Sequence, residues 1–188
     1  AIYRIHEEPT LEKINALNET IRSIDLNLKK LNSLKTADLN QLLTLASTTD
    51  HSSMINLSIL RTMTQAYYSN KLSAHFGLNL QKYAHFTSPI RRYADLIVHR
   101  ALIATHNWDA TLISEEETSD LGAIASHISL TERRSMNAER DTIDRYLARF
   151  LKDKIGGEFY SLISGITRFG IFIQLEEIGA DGLIPLSN

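Results

Sequence analysis

Before Gly157, hydrophobic residues recur along the chain at the spacing of amphipathic helices. This pattern predicts a short strand at 1–6 and a first helix that Thr10 caps at its N-terminus. A second helix is predicted over Asp38–Ala46 and a third over Ser53–Tyr68, with one apolar face formed by Leu57, Leu60, Met63 and Tyr67. The polar connection between the first two helices is expected to be anchored by Leu28, Leu31 and Leu34. Core packing explains all of these apolar positions.

The pattern changes towards the end of the chain. Thr118–Lys154 is predicted to form one long helix, apolar at its two ends and densely charged in its middle. From Gly157 the pattern becomes strand-like: Phe159, Leu162, Ile163 and Ile166 precede a β-rich run over Thr167–Leu175, and Asp181–Ile184 follows after a turn. The sequence therefore predicts an α+β fold, with a mostly helical region at 1–154 followed by a small β region at 155–188.

One stretch, His85–Arg100, brings together a helix-start signal and many polar side chains. Thr87 and Ser88 can each cap a helix N-terminus. Pro89 suits the first helical turn, where its missing N–H costs nothing. A helix is therefore predicted over Ile90–Ala104.

On such a helix, Arg91, Asp95 and His99 lie on one face, about one turn apart. Arg91 falls in the first turn, where free backbone N–H groups and the helix dipole favour an anion, and a phosphate is the natural ligand. The alternative is a half-buried helix on which this row of side chains pairs only with itself. The spacing alone does not choose between the two.

The composition is that of an ordinary soluble protein, 43% hydrophobic and 22% charged. Because 20 Lys+Arg face 22 Asp+Glu, any nucleic-acid site must be a local basic surface. The sequence has no Cys, which excludes disulfides and thiolate metal sites and fits a cytoplasmic location. No apolar run approaches the roughly 20 residues of a membrane-spanning helix, so a membrane is not an expected partner. Since the chain starts at Ala1 and stops within a strand-like stretch, we expect a piece of a longer protein.

The residues from Tyr83 to Arg100, YAHFTSPIRRYADLIVHR, closely resemble the signature of the ribonuclease II/ribonuclease R family of processive 3′-to-5′ exoribonucleases. The likeness is long and chemically mixed, which makes it specific. It implies the C-terminal part of an RNB-type catalytic domain, most like that of ribonuclease R. The expected activity is metal-assisted hydrolysis of single-stranded RNA from its 3′ end to 5′-nucleoside monophosphates.

The resemblance also implies roles for individual residues in and near this signature. Arg91 is expected to hold or neutralise the charge of the scissile phosphate, and Thr87, Ser88 and Arg92 are expected to contact RNA. The segment His75–Leu78 looks like the family's His-Phe-Gly-Leu turn, whose histidine is either a phosphate contact or a satisfied structural residue.

Further roles are implied for the last third of the chain. Ala138–Asp141 resembles the family's Ala-Glu-Arg-Asp segment, in which the glutamate faces the RNA channel, so Glu139 is expected to act beside the active centre. The alternative for Glu139 is a solvated helix face. Residues 155–188 look like the first three strands of an OB-fold barrel of the ribosomal-protein S-one kind, in which Phe169 and Phe172 are expected to be exposed and to stack on bases. The alternative for these two rings is a place in the core.

No Asp-rich cluster with the spacing of a two-metal site occurs in the sequence. The resemblance implies that the Mg²⁺ ligands lie upstream, so this piece alone is expected to hold no metal and to be inactive. Two other functions stay open. A non-catalytic RNA-binding module would bind RNA without hydrolysing it, and a purely helical scaffold would not retain RNA at all.

Overall fold

The computed structural model describes residues 1–24, 31–109 and 114–186. Its helices are α1 (Leu11–Ser23), α2 (Thr36–Ala46), α3 (Ser52–Thr62), α4 (Tyr93–Thr105), α5 (Glu115–Ser119) and α6 (Leu121–Lys152). Its strands are β1 (Tyr3–Ile5), β2 (Tyr67–Ser69), β3 (Ser161–Thr167), β4 (Gly170–Leu175) and β5 (Asp181–Pro185). The predicted α+β class is confirmed. No helix within the described ranges has the length and apolar character needed to span a membrane.

The chain divides into two compact units, 1–132 and 133–188, and α6 contributes residues to both. The change from helix to strand that the sequence predicts near residue 154 occurs between Lys152 and Ser161. The predicted domain boundary itself stays a prediction.

The first unit is built on a core between α1, α2 and α3. Thr10 caps α1 as predicted, since its hydroxyl oxygen accepts the Lys13 N–H at 3.4 Å. Leu31 and Leu34 pack against this core as predicted, whereas Leu28 lies outside the described residues. Buried aliphatic side chains supply the driving force, each contributing about 1.5–3 kcal/mol, and they are Ile14, Leu17, Ile21, Leu34, Leu39, Leu42, Ile55 and Ile59.

The predicted third helix is too long and its predicted face is wrong. Helix α3 ends at Thr62, and Tyr67 belongs to β2, which pairs antiparallel with β1. Adjacent tyrosines favour a strand. The strand that pairs with them, β1, lies at the start of the chain, so the spacing of residues around Tyr67 does not reveal the pairing. The buried residues of α3 are Ile55, Ile59 and Thr62.

The start of α4 also differs from the prediction. The helix begins at Tyr93 rather than Ile90, and its N-cap is Arg92, whose backbone is extended (φ −129°, ψ 111°). Before it, the Ser88 carbonyl accepts the N–H groups of Arg91 at 3.2 Å and Arg92 at 3.1 Å. Thr87 and Ser88 therefore do not cap this helix, and Ser88 instead opens a separate turn.

The long helical stretch is divided in two, because Asp120 separates α5 from α6. The first turns of α6 pack on a second buried cluster of Ile2, Tyr68, Ala94, Ile97 and Ala125. Of the apolar residues at the far end of α6, Ile143 and Phe150 are exposed.

The second unit contains the antiparallel meander β3–β4–β5. The predicted strand over Thr167–Leu175 is interrupted by a hairpin turn at Arg168 and Phe169, and β4 starts at Gly170. A Cβ at Gly170 would lie 2.3 Å from the Ile184 carbonyl oxygen, so β4 and β5 can approach this closely only with glycine. The turn places Phe169 at the tip of the hairpin.

Candidate functional site

The centre of the predicted site is the turn that precedes α4, and one buried carboxylate holds it. Asp95 is 0% exposed. Its Oδ2 accepts the Ser88 N–H at 2.8 Å and Arg92 Nη2 at 2.9 Å, and its Oδ1 accepts Arg92 Nε at 2.9 Å. Burial by itself raises the pKa of Asp95, but the hydrogen bonds from Arg92 and Ser88 outweigh burial and lower it. The same pair raises the pKa of Arg92.

The predicted row of Arg91, Asp95 and His99 does not form, because it presumes a helix that continues through residue 91. The carboxylate pairs with Arg92 instead. Arg91 is exposed, and among the described residues no group forms a hydrogen bond or ion pair with its guanidinium. The structure therefore presents one engaged and one accessible arginine side by side.

The other predicted contacts of this stretch differ in accessibility. Thr87 is exposed, Ser88 is half-buried, and the Arg92 side chain is 23% exposed despite its pairing. Their contact with RNA stays a prediction.

His99 joins α4 to the loop before the turn. Its Nε2 donates to the Phe86 carbonyl at 2.7 Å, and the two rings stack with centroids 4.2 Å apart. Sequence reasoning named both residues within the signature but did not pair them, because only the folded loop brings residue 86 back over α4.

A second network lies beneath the same loop. The Tyr68 hydroxyl and His85 Nδ1 are hydrogen-bonded at 2.9 Å, and the Arg4 guanidinium lies 4.6 Å from the centre of the Tyr68 ring. Arg4 also forms a two-pronged pair with Glu132, at 2.6 Å and 3.1 Å. Burial, followed by the charges of Arg92 and Arg4, lowers the pKa of His85. This network anchors the loop to distant parts of the chain.

The structural interpretation of His75 is supported. Its Nδ1 accepts the Leu78 N–H at 3.3 Å within the short turn of the His75–Leu78 segment. Gly77 approaches the side chain of His6, whose Nδ1 accepts the Gly77 N–H at 2.9 Å while its Nε2 donates to the Thr64 carbonyl at 2.8 Å. A Cβ at Gly77 would lie 3.0 Å from His6 Nδ1, so a larger residue at this position would crowd the histidine ring.

Lowering the pH from about 7.5 to about 5.5 is expected to reduce the free energy of unfolding. Burial lowers the pKa of His85 and of His75 below the ordinary value of 6.5, so the unfolded chain binds protons first as the pH falls through that value. Urea denaturation at the two pH values measures the difference. The double variant His85→Gln/His75→Gln should show a flatter pH dependence of stability than the parent. Equal stability of the parent at both pH values would contradict this.

The protein-family model of the RNB domain matches residues 1–107. The chain belongs to the RNB-domain family. Ribonuclease R of Escherichia coli K12 is 38% identical over all of this chain and 24% of its own length. The Mycoplasma genitalium RNase R structure in complex with ribose methylated single-stranded RNA matches 98% of this chain and 29% of its own, with a TM-score of 0.86 and 33% identity. Yeast Ssd1, a pseudonuclease, shares the fold at 22% identity and a TM-score of 0.79. The chain thus spans about a quarter of the length of these relatives.

These matches confirm the resemblance read from the Tyr83–Arg100 segment, which lies in the matched RNB region. In this RNB fold the residues that the structure describes do not fit a Mg²⁺ site. Across the parts of the chain that the structure describes, no three His, Cys, Asp or Glu side chains come together to hold a metal. The buried carboxylate of Asp95 already accepts three N–H groups, from Arg92 and Ser88.

Beyond the matched RNB region, the second unit holds the remaining predicted residues. Glu139 is exposed on α6. Phe169 and Phe172 are 64% and 40% exposed, and the Arg168 guanidinium lies 4.7 Å from the centre of the Phe169 ring. The predicted exposure of both aromatic rings is confirmed, and their contact with bases stays a prediction.

Proposed function

We propose that this chain is part of the catalytic domain of a 3′-to-5′ exoribonuclease and contacts single-stranded RNA near the bond that is cleaved. Membership of the RNB family and the likeness to ribonuclease R support this reaction class. The relative in complex with single-stranded RNA supports the substrate class. The observation that carries the proposal is the accessible guanidinium of Arg91 on a turn that Asp95 holds.

Hydrolysis of a phosphodiester increases negative charge on the phosphate oxygens and on the leaving oxygen. A guanidinium stabilises this charge through two parallel N–H donors and keeps its proton at neutral pH. Arg91 can act in this way because none of its donors is engaged by a described group. Arg92 is less suited, since Asp95 already accepts from its Nε and Nη2.

Because the described residues of this chain do not fit Mg²⁺, we assign the metal ligands to a part of the full-length protein that this chain does not contain. The chain alone is then inactive. We further propose that the protein acts in the cytoplasm. A sequence without cysteine fits a reducing compartment, and the proposed RNA substrate is found there.

For the second unit, we propose that β3, β4 and β5 are the first strands of an OB-type barrel that holds RNA. The exposed rings of Phe169 and Phe172 support this, because stacking on a base contributes about 1–3 kcal/mol per base. Glu139 is proposed to contact the RNA strand or the nucleotide product that leaves after cleavage, because it is exposed on α6.

The variant Arg91→Ala tests the proposal in the full-length protein. Hydrolysis of single-stranded RNA from the 3′ end is expected to fall by roughly 10²–10³-fold, the usual cost of removing one donor to a developing oxyanion. RNA affinity, measured by filter binding, should stay nearly unchanged. The rate of RNA hydrolysis by Arg91→Lys should lie between the rates of the parent and of Arg91→Ala, because lysine keeps the positive charge but lacks the planar pair of N–H donors.

Arg22→Ala removes an exposed arginine from the last turn of α1 and serves as the matched control, with turnover like that of the parent. Turnover at the parent rate in Arg91→Ala would refute the role of Arg91. The alternative, a non-catalytic RNA-binding module, predicts salt-dependent RNA binding by the full-length protein without hydrolysis. The fold does not decide between them, since Ssd1 shares it.

A further inference from the structure

The turn that carries Arg91 is fastened on both sides of that residue. On the N-terminal side, the Ser88 N–H donates to Asp95 Oδ2. On the C-terminal side, Arg92 donates to both oxygens of the same carboxylate. Within the turn, the Ser88 carbonyl accepts the Arg91 and Arg92 N–H groups. The backbone of Arg91 is therefore fixed while its side chain is left accessible.

We propose that Asp95 is a positioning residue for Arg91: its buried carboxylate holds the Ser88–Arg92 turn in the conformation that directs the Arg91 guanidinium at the phosphate. This inference rests on the proposed function. It concerns a residue that cannot touch RNA, because Asp95 has no accessible surface. Its only route to the reaction is through the turn.

The number of acceptors explains why a carboxylate is needed here. Three donors meet the two oxygens of Asp95, and one of those oxygens accepts two of the donors. Asparagine of the same shape offers one oxygen and one NH₂ group, so at least one N–H of Ser88 or Arg92 would face another donor. The turn would then shift, and a displacement of about 1 Å at a reacting group can cost roughly 100-fold in rate.

The experiment is a double-mutant cycle in the full-length protein, using Asp95→Asn, Arg91→Ala and the two combined. Single-turnover rate, kcat and KM are measured on single-stranded RNA, below the melting temperature of every variant as determined by circular dichroism. Asp95→Asn is expected to lower kcat by roughly 10- to 100-fold with KM nearly unchanged. In the Arg91→Ala background the same substitution should have almost no further effect, because the side chain that it positions is gone.

Asp38→Asn is the matched control. The Asp38 carboxylate also accepts a backbone N–H, that of Lys35 at 2.8 Å, but it lies in the first turn of α2 and takes no part in the contacts of the Ser88–Arg92 turn. Asp38→Asn is expected to lower the melting temperature while leaving kcat within about twofold, as a substitution outside the positioning contacts should.

The positioning role is overturned if Asp95→Asn leaves kcat unchanged, or if it slows the parent and the Arg91→Ala variant by the same factor. If Asp95→Asn does not fold, Arg92→Lys is read in the same cycle, since lysine keeps the charge but cannot form the fork. Full activity of Arg91→Ala would overturn the proposed role of Arg91 and this inference with it. If Arg91→Ala is slow but the effects of the two substitutions on kcat multiply independently, the positioning role of Asp95 is overturned while the proposed role of Arg91 stands.

Discussion

The variant Asp95→Ala is expected to lower the free energy of unfolding by about 3–5 kcal/mol, the usual cost of removing one partner of a buried ion pair. The substitution leaves the Ser88 N–H and two N–H groups of Arg92 without their acceptor. Because the Arg92 side chain is 23% exposed, water can reach part of the guanidinium, which places the expected loss near the lower end. Urea denaturation followed by circular dichroism measures it.

Two further measurements sharpen this prediction. Asp50→Ala, at an exposed position, should change stability by no more than about 0.5 kcal/mol. Since the pKa of Asp95 is lowered in the fold, the stability it contributes is present above the ordinary carboxyl pKa of 3.8 and is lost as the pH falls through the lowered value. The difference between parent and variant should therefore persist at mildly acidic pH and shrink under strong acid. An Asp95→Ala protein as stable as the parent at neutral pH would contradict a stabilising role for the contacts of Asp95 with Arg92 and Ser88.

The variant Ile55→Ala is expected to cost about 2–5 kcal/mol of unfolding free energy, through lost burial and the cavity that remains. Ile55 is 0% exposed at the centre of the core between α1, α2 and α3. Leu60→Ala, on the same helix at a position that is 69% exposed, should change stability by about 0.5 kcal/mol or less. Both substitutions introduce alanine, which has the highest helix propensity, so a change in helix propensity accounts for neither loss of stability. A larger loss at Leu60 than at Ile55 would show that the face predicted from the sequence is the buried one.

Local patterns were sufficient for elements that local interactions determine. The Thr10 cap, the end of the last long helix near Lys152 and the presence of strands after it follow from spacing and cap residues, although the hairpin turn at Arg168 and Phe169 does not. The strand at Tyr67–Ser69 did not, because its partner β1 lies more than sixty residues away in sequence. Helical spacing through Leu60 and Met63 continues smoothly into it.

The start of α4 shows a different reason for failure. The Thr87-Ser88-Pro89 sequence is a sound helix-start signal, and a first turn does form at Ser88. The Asp95 carboxylate then bonds back to the Ser88 N–H and to Arg92, a side-chain-to-backbone contact that competes with continuous helix. Sequence spacing paired Asp95 with Arg91, whereas the broken helix pairs it with Arg92.

The candidate site was predictable only in part for the same reason. Arg91 was identified by its place in the signature, and its accessibility agrees with an anion-binding role. The network that supports the loop joins Arg4, Tyr68, His85 and Glu132, which come from four separate segments. No spacing rule brings such residues together, and the fold alone supplied them.

The Arg92–Asp95 pair also sets the electrostatics of the surface. Two adjacent arginines would suggest a doubly positive spot, but the buried carboxylate cancels one charge and leaves about one unit facing solvent. If RNA binds at this turn as proposed, one net positive charge neutralises one phosphate rather than two, so the turn adds correspondingly less to the salt dependence of RNA binding.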